Sequence, residues 1–136
     1  GRRVVVTQGA THEVGQKLVD WVDHVLACGA GELLFQSVDQ DGTGMGLDIP
    51  VLQSLSRQPE VPCILMGGVG KGSQIIAAMQ QAAVDAVATA NLFNFIGSTF
   101  LEVRQAIVQA GVPIPQWDDR DYAMLRNRFA VQESDH

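Results

Sequence analysis

A chain of 136 residues, 46% apolar and 18% charged, is long enough to bury a real core as one domain. A net charge of −6 and a pI of about 4.8 argue against a nucleic-acid backbone as partner, which needs a basic surface. No apolar run approaches the roughly 18–20 residues of a membrane span. The opening Gly1–Thr7 lacks the apolar region and cleavage site of a signal peptide, so a cytoplasmic protein is expected.

Val4–Thr7 is a β-branched run that predicts a strand, ending at Gln8–Thr11. A helix follows, with Leu18, Val19, Val22, Val25 and Leu26 on one face and Trp21 flanking the stripe. Gly29 should end it by a left-handed exit. Leu33–Val38 reads as a buried strand running into the polar, glycine-rich loop Asp39–Gly46. Asp48 with Pro50 predicts the next helix start, with Val51, Leu52 and Leu55 facing inward. Cys63–Met66 is a strand ending in Gly67-Gly68-Val69-Gly70, after which Ser73 caps a helix carrying Ile75, Ile76 and Met79. Val84–Thr89 is a further strand, and its loop Ala90–Phe95 leads to a capping box of Thr99 and Glu102. That helix buries Leu101, Val103, Ile107 and Val108 and ends at Gly111. The two cysteines, Cys28 and Cys63, sit in apolar segments without metal spacing and read as reduced core residues.

Four βα units in succession mean parallel strands with helices outside. A complete (β/α)8 barrel needs about 250 residues, so this chain holds about half of one. It is either a piece of a longer protein or one of two copies that complete each other. The expected division is a half barrel over 1–117 and a polar tail over 118–136, with one helical turn around Tyr122, Leu125 and Phe129.

The glycines carry the first hint of chemistry. Gly67, Gly68 and Gly70 after a strand let backbone approach a ligand closely, and their amides with the helix start at Ser73 suit an anion. A phosphate is the natural anion at such a rim. Tight turns alone would also ask for glycine there, and Lys71 reads as solvated. Asp39 and Asp41 end a strand, where carboxylates contact hydroxyls or move protons, or instead tie down the Gly42-Thr43-Gly44 turn. Glu32 opens the same strand at its opposite end. His12, His24 and His136 have no ligand spacing, so neither a metal nor another cofactor is expected.

Several stretches together carry a resemblance: Asp20-Trp21-Val22, Gly29-Ala30-Gly31-Glu32, Ser37–Thr43, Gly67–Lys71 and Leu92–Phe95. In their order and spacing they resemble the C-terminal half of the cyclase subunit of imidazole glycerol phosphate synthase. The resemblance implies an α/β fold, the C-terminal half of a (β/α)8 barrel. It implies an ammonia-using lyase whose partner glutaminase supplies ammonia through the barrel. The substrate would be a phosphorylated aminoimidazole carboxamide nucleotide. By the same resemblance Gly67, Gly68, Ala90 and Asn91 hold a phosphate, and Asp41 with Gly42 lines the substrate pocket. Glu32 belongs to an ammonia gate at the barrel floor. The family's acid–base aspartates would both precede Gly1, so this segment alone should not turn over.

Met66, Asn91, Gln36 and Gln40 depart from the family's commoner residues. A bulky residue before the paired glycines is similar to cyclase-like paralogues that deliver ammonia to sugars for surface polysaccharides. That acceptor is the alternative reading. A non-catalytic phosphate-binding half barrel, paired with itself, is another. A third is a purely structural fragment with open strand edges.

Overall fold

The computed structural model describes residues 3–90, 92–93 and 99–124, with the Thr99 side chain excepted. The first strand, β1 (Val4–Thr7), forms where expected but pairs antiparallel with a second, β2 (His12–Lys17). Gln8, Gly9 and Ala10 all take positive φ between them, and the Thr11 hydroxyl donates to the Gln8 carbonyl at 2.8 Å. This hairpin is a separate two-stranded sheet, which corrects the expectation of four parallel βα units to three. In β2 only Val14 is half-buried, so the strand has no apolar alternation by which to be recognised.

Arg3 ties the hairpin to the rest of the fold. Its Nε and Nη2 donate to the two Asp48 carboxylate oxygens at 3.1 and 2.7 Å. The fork geometry makes this a two-point contact, and its hydrogen bonds to Asp48 raise the guanidinium pKa further. Asp48 is therefore not the helix cap that the sequence suggested. Ile49 takes that position in α2 (Pro50–Gln53), and Pro50 occupies the first turn.

Helix α1 (Leu18–Ala27) ends as its glycine requires. Gly29 lies at φ +89, its amide donates to the Leu26 carbonyl, and the Ala30 amide reaches Val25 at 3.2 Å. Both bonds of a Schellman exit are present. Gly111 closes α4 (Thr99–Gln109) the same way, at φ +74 with Val112 donating to Ile107.

Strands β3 (Leu33–Gln36), β4 (Cys63–Met66) and β5 (Ala86–Ala88) form one parallel sheet in the order β3-β4-β5. Leu33 pairs with Cys63, Phe35 with Leu65, and Leu65 with Val87, which places these side chains on one face. That face is covered. Cys63 and Leu65 pack with Val51 and Leu52 of α2, Ala78 of α3 (Gly72–Met79) and Val84. A second cluster of Val69, Ile75, Leu92 and Val103 joins α3 to α4 and to the loop after β5. Across the sheet, the opposite face carries Leu34, Gln36, Ile64, Met66, Ala86 and Ala88, none of them buried, with Leu34 53% exposed.

Ser73 lies inside the first turn of α3, whose capping position is Lys71, so it is not the cap. The Thr99–Glu102 capping box rests on a side chain outside the described residues. Of the tail, a helical turn forms over 119–124, as expected around Tyr122, while Leu125 and Phe129 lie outside the described residues.

The cysteines separate. Cys63 is buried, but Cys28 is exposed, because it is the C-cap residue of α1 and faces solvent with His24 Nε2 3.9 Å away. Burial, with a smaller push from the Asp85 carboxylate, raises the Cys63 thiol pKa. Iodoacetamide on the native chain should therefore label Cys28 and spare Cys63, read by mass spectrometry. A raised thiol pKa stabilises the fold below the unfolded thiol's value of about 8.5 and loses that contribution as pH rises through the folded value. The melting temperature should accordingly fall above about pH 8.5, with a shallower fall in Cys63→Ala.

Candidate functional site

All three parallel strands end at one rim, and the loops that leave them interlock there. After β4, Gly67 and Gly68 take φ +100 and +91. Their backbone presses on the loop that follows β3. A Cβ on Gly67 would lie 2.6 Å from the Ser37 carbonyl oxygen, and one on Gly68 would lie 2.2 Å from that of Gly46. The Gly46 amide donates to the Gly68 carbonyl at 2.7 Å, which draws the two loops together.

Gln74 of α3 completes the joint. Its Oε1 accepts from the amides of Gly70 and Lys71 at 2.8 and 3.2 Å, and its Nε2 donates to the Gly44 carbonyl at 3.1 Å. These two amides at the helix start are thus used inside the protein. Of the glycine amides expected to face an anion, that of Gly70 is thereby engaged within the protein. Among the described residues, nothing accepts from the amides of Gly68 and Val69.

These loops enclose a cavity of about 260 Å³ lined by Asp41, Gly42, Gly67, Gly68, Ala90 and their neighbours Met66, Val69 and Leu92. Five residues singled out from the sequence are therefore brought together: Asp41, Gly42, Gly67, Gly68 and Ala90. Asn91 lies outside the described residues. Glu32 is exposed just before β3, at the opposite end of the strand from the cavity. Asp39 borders a different groove, between β3 and the hairpin with α1, so the two aspartates of the loop part company.

The volume falls below the roughly 300–1,000 Å³ of a cleft for a whole drug-sized ligand, so it suits one end of a molecule. Asp41 is the one charged residue among those described in the lining. Attraction for an anion must then come from backbone amides rather than from side-chain charge, as in the concave amide nests that hold phosphates. Asp41 itself is positioned by Gln36, whose Nε2 donates to its Oδ2 at 3.1 Å. The glycine turn is tied down by a different residue: the Thr43 hydroxyl donates to the Gln40 carbonyl at 2.7 Å and accepts from the Met45 amide at 3.1 Å. Asp41 is thereby left at the cavity wall.

Sequence reasoning missed Gln74 and the partnership of Gln36 with Asp41. Gln36 was visible only as a residue longer than usual at the pocket side of its strand. Gln74 follows Gly70 by four residues, a spacing that signals reach back to the helix start.

A parallel sheet whose strands end in glycine-walled loops around one cavity defines a βα-repeat protein with a cavity at its rim. The model of the histidine biosynthesis protein family matches residues 1–98, and the chain belongs to that family. It is 38% identical over 110 residues to the imidazole glycerol phosphate synthase subunit HisF of Caulobacter vibrioides, covering 81% of this chain and 42% of that protein. It is 33% identical to the subunit of the same name from Streptococcus sanguinis, covering 81% and 44%. The chain spans less than half the length of these curated relatives.

Proposed function

We propose that this chain is the C-terminal half of the (β/α)8 barrel of an imidazole glycerol phosphate synthase cyclase subunit. The reading rests on one observation: the glycine-walled cavity stands at the C-terminal ends of the parallel strands in a member of the histidine biosynthesis family. In this reading the amides of Gly68 and Val69, with Ala90 and Asn91, hold one phosphate of the nucleotide substrate. Asp41, steadied by Gln36, faces hydroxyls of the sugar portion rather than the phosphate, since two negative charges in that space would repel. Glu32 belongs to the floor of the barrel, where ammonia from a glutaminase partner enters. The open sheet face around Leu34 becomes the barrel interior, which supports the half-barrel reading because parallel sheets are covered on both faces. The acid–base pair lies on the other half of the barrel. The histidine-pathway acceptor is favoured over a sugar by the names of the relatives, although Met66 does stand in the cavity wall.

The test is complementation. The chain alone should form no product from ammonia and the ribulosyl-formimino-aminoimidazole carboxamide nucleotide. Mixed with the N-terminal half of the Caulobacter relative, it should restore ammonia-dependent formation of imidazole glycerol phosphate. A mixture that assembles but stays inactive, with Gly68, Val69 and Ala90 amide signals indifferent to inorganic phosphate, would sink the proposal.

A further inference from the structure

The family model ends at residue 98, yet the chain beyond it is not left loose. After Gly111 the backbone turns and runs back along α4 toward the rim. Val112 is buried, the Pro115 carbonyl accepts from Arg104 Nη2, and the Arg104 guanidinium lies 3.8 Å from the Trp117 ring centroid. Arg104 Nε is buried with no hydrogen-bond partner among the described residues, which is consistent with a guanidinium held by the ring face rather than by water.

Trp117 is also the middle of an aromatic ladder. Phe93 meets Phe100 edge-on at 5.1 Å, Phe100 meets Trp117 at 5.7 Å, and Trp117 meets Tyr122 at 5.8 Å. Such pairs each contribute about 0.5–1.5 kcal/mol beyond their buried area. The ladder ends firmly on the tail side. Asp118 Oδ1 accepts from the amides of Arg120 and Asp121 at 2.8 and 3.0 Å, and Asp121 Oδ2 accepts from the Asp118 amide at 3.1 Å. This reciprocal cap fixes the turn that carries Tyr122.

At the other end the ladder reaches the loop after β5. Phe93 follows Leu92, which is 5% exposed, packs with Val69 and Val103, and lines the cavity. Within this loop the Leu92 amide donates to the Thr89 hydroxyl at 3.5 Å. We propose that the segment 112–122 is a brace that holds Leu92 and Phe93 after β5 in place, and that Trp117 is the positioning residue for the Leu92 wall of the cavity. That this wall grips phosphate rests on the function proposed above; that the brace orders the wall does not.

Amide hydrogen exchange by NMR on the 136-residue chain, without ligand, tests it. Trp117→Ala should speed exchange at Leu92 and Phe93 by about tenfold while leaving Val22 and Leu65 unchanged. Trp117→Phe keeps a ring for Phe100 and Arg104 and should stay within about twofold of the parent. Unchanged exchange at Leu92 and Phe93 in Trp117→Ala would overturn the brace. So would a uniform rise that includes Leu65, which would mean ordinary packing. In a Trp21→Phe background Trp117 is the one tryptophan. Saturable change of its emission with inorganic phosphate would then link the brace to the anion. A parent chain that ignores phosphate would overturn the phosphate site alone, because the exchange result is read without ligand.

Discussion

Gly68→Ala should cost about 2–5 kcal/mol of stability, read as a shift in urea midpoint at unchanged slope. Two separate penalties combine. An L-residue at φ +91 costs roughly 1–2 kcal/mol before any contact is counted. The added Cβ would then stand 2.2 Å from the Gly46 carbonyl oxygen and 2.9 Å from the Gln40 carbonyl oxygen. Both obstacles are backbone, so neither can swing aside as a flexible side chain would, and overpacking of this kind typically adds about 1–3 kcal/mol. Relief requires the loop after β3 to move, which breaks the 2.7 Å bond from the Gly46 amide to Gly68. Gly42→Ala is the control. It also lies at positive φ, +76, but its Cβ would meet nothing within 4 Å. Its cost should be only the conformational part, about 1–2 kcal/mol. Equal costs for the two substitutions would refute close approach as the reason for glycine at position 68. Because both residues line the cavity, the pair also separates shape from strain: only Gly68→Ala should disturb the Ala90 and Leu92 signals across it.

What the sequence made legible, and what it hid, follows from how each signal arises. The three parallel strands were readable because Leu33–Gln36, Cys63–Met66 and the run through Ala86–Ala88 are short, largely apolar stretches, the first two set between glycine or proline punctuation. The ends of α1 and α4 were readable because left-handed exits demand glycine at one position. The hairpin was not, because β2 is exposed and polar and therefore has no two-residue rhythm. Asp48 misled for another reason. Its sequence position suits a cap, but an arginine 45 residues away takes the same carboxylate in a two-point contact, and sequence spacing does not report such partners. Cys28 looked buried among apolar neighbours although it stands at a helix end, where the inward face is lost.

The cavity residues came out of the sequence as individuals. Their meeting is a property of the interlock between two loops thirty residues apart, which glycine content suggests but cannot locate. The polar composition of the tail hid its most structured part. Among the acidic residues of 118–121 the cap at Asp118 does the ordering, and Trp117 and Tyr122 on either side do the packing.

Leu65→Ala should cost about 3–4 kcal/mol, near the middle of the range for burying and then emptying a leucine site. Leu65 is 2% exposed at the centre of β4, the strand with a partner on each side, and it packs with Val51, Leu52, Ala78 and Val84. A chain whose total stability is about 5–15 kcal/mol would lose a large fraction of it. Leu34→Ala, on the opposite face of the adjacent strand, should cost less than about 1 kcal/mol in the isolated chain, because Leu34 is already 53% exposed. The comparison becomes a test of architecture when both variants are measured again with the complementary half present. If the open face turns inward in a closed barrel, Leu34 becomes a core residue and its truncation should rise toward about 2–3 kcal/mol, while Leu65→Ala stays as it was. A Leu34→Ala cost that remains small in the assembled pair would show that the face stays open, and the half-barrel reading would fall with it.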